Sequence, residues 1–291
     1  MVGDKKDSFK STDELIKDLE NPEWKVRAKA VFNLKNKMNK KVEKKLLELL
    51  QDDNDDVWLS VANVLKNKTS KTLLDSLIDK LLHSKSAEVR WHAAYYLGEI
   101  GNKKAIDYLC DSLKDESIDV RLNAAKALGK IGDKKTVDAL LEALNDAESI
   151  VRKEAISSIN LISPKKPVST LVKYLKDEDE RVRSLAAIIL GKTKTDDGFD
   201  ELVGTLNDEN NIVRVSAVYA LGKIGGDQIV EPLLTALKDP YWEVRSDAAK
   251  ALGDVGNEQA VVPLLETLND DNTYVRRSAL KALESYKIFK K

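Results

Sequence analysis

Apolar residues return along this chain in a fixed phrase. The string VRWHAAYYLGEIG runs from Val89 to Gly101, and related strings start at Val120, Val151, Val182, Val213, Val244 and Val275. Weaker copies start at Val26 and Val57. Successive valines lie 31 residues apart except from Val57 to Val89, where the step is 32. Nine copies on one period mark a repeat architecture, in which each unit buries a face against the next. With valine as position 1, apolar residues fall at positions 1, 5, 8, 9 and 12, the stripe of an amphipathic helix. Glycine follows at position 13 in Gly101, Gly132, Gly225 and Gly256, where a left-handed helix-ending conformation is expected.

A second apolar helix follows each of these valine–arginine (VR) helices, as in TVDALLEALND (136–146), IVEPLLTALKD (229–239) and AVVPLLETLND (260–270). These are the LL helices. Pro232 and Pro263 fall in their first turns, where a missing N–H costs little. The first LL helix, near DELIKDLE, opens with a capping box from Ser11 to Glu14. The chain therefore reads as nine LL–VR pairs.

The pattern VRxxAAxALGxIG followed by xAVxPLLxxLxD resembles the HEAT-like repeat of the phycobilisome-lyase type, from about Ser11 to the C-terminus. The resemblance implies an all-α fold, a right-handed α-solenoid of about nine helix pairs. It also implies VR helices on the concave face and LL helices on the convex one. Residues 1–10 are expected to be a disordered tail and 11–291 a single solenoid. Repeat boundaries fall at approximately 11–38, 39–70, 71–101, 102–132, 133–163, 164–194, 195–225, 226–256 and 257–291. The first two copies lack the glycines, and Trp58 replaces the arginine. The stretches SPKKP (163–167) and TKTDDG (193–198) also depart from the pattern.

Composition narrows the functions available. Charged residues make up 33% of the chain, yet 48 basic residues meet 49 acidic ones, so the whole molecule is no electrostatic trap for nucleic acid. Cys110 is the only cysteine, which excludes an internal disulfide and points to a reducing compartment. The N-terminal sequence has no apolar signal core, and no stretch reaches transmembrane length, so the cytoplasm is expected.

Enzymatic readings find little support. Deoxyhypusine hydroxylases, which share such repeats, hold two irons with His-Glu dipeptides; here Ser84 follows His83 and Ala93 follows His92. Bilin lyases share the repeat as well, but a repeat transfers no chemistry by itself. His83, His92 and Cys110 match no compact zinc spacing. No phosphate loop or nucleophile motif is present. No catalytic, cofactor-binding or metal-ligating residue is assigned, and no cofactor is expected.

Two polar and apolar patterns remain. Asp115, Asp146, Asp177, Asp208, Asp239 and Asp270 each precede an arginine by six residues: Arg121, Arg152, Arg183, Arg214, Arg245 and Arg276. This reads as a structural ladder of caps and guanidinium–carboxylate pairs, one per layer. The groove arc of each VR helix comprises the residue before valine and positions 3, 7 and 11. Twelve of these thirty-six positions are large and apolar: Ile150, Ile212, Tyr274; Leu59, Trp91, Leu122, Val215; Phe32, Tyr95, Ile188, Tyr219; and Leu161. A contiguous apolar run on an exposed face marks a binding surface, unless curvature shields it.

Charge along the arc is uneven. Repeats two and three contribute Asp56, Glu88 and Glu99 and no base. From repeat four onward the bases are Lys126, Lys130, Lys153, Arg181, Lys192, Lys223, Lys250, Arg277 and Lys281, against Asp119, Glu243 and Asp254. Trp24 and Trp242 are expected to pack at turns, and the lysine run NLKNKMNKK (33–41) to form a solvated edge.

These patterns point to a non-catalytic protein-binding scaffold or adaptor holding a peptide or helix in the groove. Trp91 and Tyr95 would be its anchors, flanked by Leu59 and Leu122 and rimmed by Glu88 and Glu99. The alternatives are nucleic-acid binding along the basic C-terminal half, or an accessory role in protein or cofactor modification. The partner is thus another protein, with nucleic acid disfavoured by the net charge and no membrane. A monomer is expected, with a dimer through the C-terminal end as the alternative, because Tyr286, Ile288 and Phe289 leave that end apolar.

Overall fold

The computed structural model describes residues 10–66, 70–163, 168–195 and 198–286. Among the described residues there are eighteen α-helices and no β-strand. The chain forms two compact units, Met1–Ile162 and Ser163–Lys291. Their boundary falls where the sequence pattern breaks at SPKKP, of which 164–167 lie outside the described residues.

Unit 1 holds five LL–VR pairs. They are α1 (Thr12–Asp18) and α2 (Trp24–Leu34), α3 (Lys40–Glu48) and α4 (Asp55–Leu65), α5 (Lys71–His83) and α6 (Ala87–Ile100), α7 (Ile106–Ser112) and α8 (Ile118–Ile131), and α9 (Val137–Ala143) and α10 (Ser149–Ile162). Unit 2 holds four. They are α11 (Val168–Val172) and α12 (Glu180–Thr193), α13 (Phe199–Thr205) and α14 (Asn211–Ile224), α15 (Val230–Ala236) and α16 (Trp242–Val255), and α17 (Val261–Thr267) and α18 (Thr273–Ser285). In each unit VR helices pack on one another, α6 on α8 on α10 and α12 on α14 on α16 on α18, with each LL helix against its own VR helix. Each unit is thus an α-solenoid stack.

Local chemistry sets the helix ends. Ser11 accepts the N–H of Glu14, whose carboxylate accepts the N–H of Ser11, closing the expected capping box. Gly101, Gly132 and Gly256 end α6, α8 and α16 in the left-handed conformation, at φ of 70°, 71° and 72°. Gly225 departs from the expectation: its φ is 74° but its ψ is −167°, an extended exit that a second glycine, Gly226 at φ 84°, continues. Lys10 departs as well. Expected in a disordered tail, it forms an ion pair with Asp18 at 2.9 Å; residues 1–9 lie outside the described residues.

The core is wider than the amphipathic stripe. From the third copy on, positions 1, 5, 8 and 9 are buried as expected, but position 12 is half-buried in most copies, as at Ile100, Ile131 and Val255. Position 6 is instead fully covered, as at Ala94, Ala125, Ala187 and Ala249. The reason is that each interior VR helix has a VR neighbour on both sides, and its buried arc exceeds one stripe. Leu280 sits at position 6 of the last copy and is 46% exposed. Position 10 sets how closely neighbours approach. A Cβ on Gly98 would lie 2.7 Å from the Ala127 Cα, and one on Gly253 2.6 Å from the Ala282 Cβ. Only glycine admits the next helix at that distance.

The charged ladder has a different register from the six-residue spacing. Arg121 donates from Nε and Nη2 to the two carboxylate oxygens of Asp146, at 2.6 and 3.0 Å, 25 residues downstream. Its Nη1 donates to the backbone carbonyls of Asp115 and Glu116, at 2.9 and 3.2 Å. The same fork joins Arg183 to Asp208, Arg214 to Asp239 and Arg245 to Asp270. Arg152 and Arg276 make the upstream contacts too, donating to the carbonyls of Asp146 and Asp270 at 2.8 Å. Each aspartate also caps its own turn: Asp146 Oδ1 accepts the N–H of Glu148 at 2.9 Å, as the Oδ1 of Asp177 does from Asp179.

The upstream contact is through the backbone, so the residue there need not be acidic. Hence the spacing overlooked two rungs, Arg27 to Asp52 and Arg90 to Asp115, whose upstream carbonyls belong to Asn21 and Ser84. Where Trp58 replaces the arginine, Ser84 replaces the aspartate at the receiving turn. No carboxylate is left facing an apolar neighbour. Trp58 is fully buried, with Nε1 donating to Ser76 Oγ at 3.3 Å. In unit 1 the α4–α6 contact is thinner than the other contacts between neighbouring VR helices.

Three outcomes test this packing. Arg183→Ala leaves the nearly buried Asp208 carboxylate without its fork, and is expected to cost roughly 1–3 kcal/mol. Thermal melting measures it, and Arg183→Lys should recover less than half because an ammonium cannot form the fork. Gly253→Ala should cost about 1–3 kcal/mol by overpacking, with denaturant titration as the check. The Asp270 carboxyl is held from the ordinary 3.8 down to about 2, first by its hydrogen bond from Arg245. Its contribution is therefore full above about pH 4 and is lost as pH falls towards 2. Melting temperature against pH should fall less steeply across that window in Asp270→Asn.

Candidate functional site

The VR helices of unit 1 carry the aromatic cluster. Trp91 and Tyr95, four residues apart on α6, are both half-buried. His92 lies between them: its ring stacks on Trp91 with centroids 3.4 Å apart, and its Nδ1 donates to the Glu88 carbonyl at 2.8 Å. Tyr95 meets Tyr96 edge to face at 5.3 Å, and Tyr96 is buried, which pushes its phenol up to about 12. Leu59 on α4 and Leu122 on α8 are half-buried, and Ile150 at the start of α10 is 45% exposed.

The charged rim is not the one that composition implied. Glu88 is exposed, but Glu99 forms an ion pair with Lys130, whose Nζ also lies 5.4 Å over the Tyr95 ring. The Lys130 hydrogen bond holds the Glu99 carboxyl below its ordinary range. Both residues occupy position 11, one repeat apart, so the stacking register places them face to face. An acid assigned to one end of the arc and a base assigned to the other are in fact one neutral pair. Lys126 and Lys153 are exposed farther along the face. Between them Glu154, at position 4, is half-buried, and desolvation raises its carboxyl against the lowering effect of Lys126, Lys153 and Lys130. The four-position arc had missed it.

Unit 2 presents a different floor. Ser184 and Ser246 at position 3 are buried and share hydrogen bonds with Ser216 and Ser278 of the following copy, at 2.7 and 2.9 Å. Ile188 and Val215 are half-buried; Ile212 is 59% exposed, and Tyr219 stands clear with Lys223 Nζ 5.3 Å over its ring. Trp242, the first residue of α16, lies 6.3 Å from the ring of Tyr241 in the preceding turn and 5.2 Å from that of the exposed Tyr274. Across both units, Phe32, Ile150, Leu161, Ile212, Tyr219 and Tyr274 are exposed and the other six apolar arc residues half-buried. Position 3 lies in the seams between helices, whereas the residue before valine stands clear of them.

The remaining reactive groups lie elsewhere. His83 is exposed at the end of α5, and Cys110 is half-buried on α7, its thiol pushed up by burial and then by Asp107 and Asp111. Among the described residues, no group of three or more His, Cys, Asp or Glu side chains could hold a metal ion. No described helix is long and apolar enough to cross a membrane.

The family profile for HEAT repeats matches residues 74–160, 137–214 and 199–284. The chain belongs to the HEAT repeat family. YibA of Escherichia coli is similar in structure, with 26% identity, 89% of this chain and 97% of that one covered, and a TM-score of 0.62. Kap95p, whose binding induces the switch loops of RanGDP to adopt the GTP-bound conformation, is 15% identical over 94% of this chain and 45% of its own, with a TM-score of 0.66. Importin beta is 17% identical over 94% of this chain and 46% of its own, with a TM-score of 0.62. No curated protein sequence matches the chain. Each HEAT repeat here is an LL helix followed by a VR helix, and the VR helix carries the residues described above.

Proposed function

We propose that this HEAT repeat protein is a non-catalytic scaffold that holds a segment of another protein along its VR-helix face. The observation that carries the reading is the Trp91–Tyr95 cluster, half-open aromatic surface on a face that folding alone could have made polar. Aromatic anchors within a charged rim are where interfaces concentrate their free energy. The partner segment in unit 1 would present apolar side chains to Leu59, Trp91, Tyr95 and Leu122, a basic group to Glu88, and acidic groups to Lys126 and Lys153. In unit 2, Ile188, Ile212, Val215 and Tyr219 are the proposed contacts. Either an extended strand or an amphipathic helix can use such a row of anchors. The engagement of RanGDP by Kap95p, which shares the fold, supports a protein partner. The lone Cys110 fits a reducing compartment, and we place the protein in the cytoplasm.

The test begins with capture of the partner from native cells and its identification by mass spectrometry. Calorimetry then compares the wild type with Trp91→Ala/Tyr95→Ala. Each lost anchor typically costs about 2–4 kcal/mol of binding, so affinity should fall at least thirtyfold while cooperative melting persists. Wild-type affinity in the double variant would reduce the aromatics to packing.

A further inference from the structure

The turns of unit 1 sort charge onto two opposite edges. Those leading from LL to VR helices carry the ladder and its neighbours, among them Asp52, Asp53, Asp115, Glu116, Asp146 and Glu148. Those leading from VR to LL helices carry lysine: Lys35 between α2 and α3, Lys40 opening α3, Lys71 opening α5, Lys103 and Lys104 before α7, and Lys134 and Lys135 before α9. All seven are exposed. The two last turns are direct neighbours, because Lys103 Nζ lies 3.0 Å from Asp133 Oδ2. The net charge of −1 averages over this separation.

Folding does not require the lysines. The corresponding turns of unit 2 read GGDQ (225–228) and GNEQ (256–259), and they open the same short helical turn, Asp227–Ile229 and Glu258–Ala260, as Lys103–Ala105 and Lys134–Thr136 do in unit 1. The turn itself is fixed by Asn102, Asp133 and Asn257, whose side chains accept the N–H two residues on. Asp107 and Asp138, exposed in the first turns of α7 and α9, offset part of the charge, yet lysines outnumber acids along the edge. Among the described residues, these turns hold no exposed large apolar side chain of the kind that inserts into a lipid surface. With layers about 8–10 Å apart, the lysines form a line that suits a linear polyanion.

We propose that the lysine edge of unit 1 docks the phosphate backbone of a single-stranded nucleic acid, independently of the VR-helix face. The probe is a fluorescein-labelled oligouridylate of about 30 nucleotides, titrated with the full chain by fluorescence anisotropy across a salt series. Binding should weaken steeply as salt rises. Lys103→Glu/Lys104→Glu/Lys134→Glu/Lys135→Glu should lower affinity at least about tenfold. It should also reduce the log–log salt slope by about three, since each single-strand phosphate contact contributes about 0.7. The matching glutamine set, checked by melting, guards against a folding defect and should lose affinity as well. Lys223→Glu/Lys250→Glu/Lys281→Glu on the VR face of unit 2, and the Trp91/Tyr95 double variant, should bind as wild type. The proposal is overturned by no binding at low salt, by an equal loss in the unit 2 variant, or by binding to phosphatidylserine vesicles without binding to the oligonucleotide.

Discussion

A guanidinium that reaches forward one repeat and backward one turn is the constraint on which the rest of this protein depends. Four N–H groups held in one plane satisfy a carboxylate 25 residues ahead and two carbonyls five and six residues behind. Because the fork is planar and both partners are largely buried, it tolerates little sliding. Once the register is fixed, the glycine at position 10 meets the small residue at position 8 of the next copy, and the VR helices close to a distance that larger residues forbid. At the Trp58 joint the fork is missing. An indole fills the arginine's place, the receiving carboxylate is gone, and contact between α4 and α6 is thin.

The same register decides the chemistry of the surfaces. Equivalent positions of neighbouring copies meet face to face, so Lys130 neutralises Glu99, and the serines of unit 2 tie successive helices together where unit 1 has Trp91 and Leu122. Besides its LL-helix face, a stack of this kind has three separate surfaces to offer: the VR-helix face, the ladder edge and the opposite edge. The ladder edge sets the register. Composition on the other two differs between the units while the architecture stays the same: Trp91 and Leu122 against Ser184 and Ser246 on one, lysines against GGDQ and GNEQ on the other.

Much of the fold was legible in the residues because it is local. A 31-residue period, an apolar stripe and a glycine after position 12 report on single helices and their ends, and the capping box at Ser11 needs only four residues. What could not be read is what depends on the neighbouring copy. Position 6 is buried by the next VR helix, not by its own partner, so Ala94 and Ala125 fall outside the stripe. The arginine's carboxylate lies in the following repeat, and the constant period made the six-residue spacing look equally good. Of the candidate site, Trp91 and Tyr95 were found as a pair, but the pairing of Glu99 with Lys130 and the burial of Glu154 required the stack.

The forward reach of 25 residues also sets the unit in which such a chain can change length. Excising 31 residues from the regular region brings an arginine at position 2 to an aspartate in an identical turn, and the glycine at position 10 to an equally small residue. A shorter or longer excision strands a carboxylate and rotates every helix beyond it out of line. Growth and loss by whole repeats therefore leave the joints intact, while the extra residue between Val57 and Val89 sits at the Trp58 joint, where there is no fork to misalign.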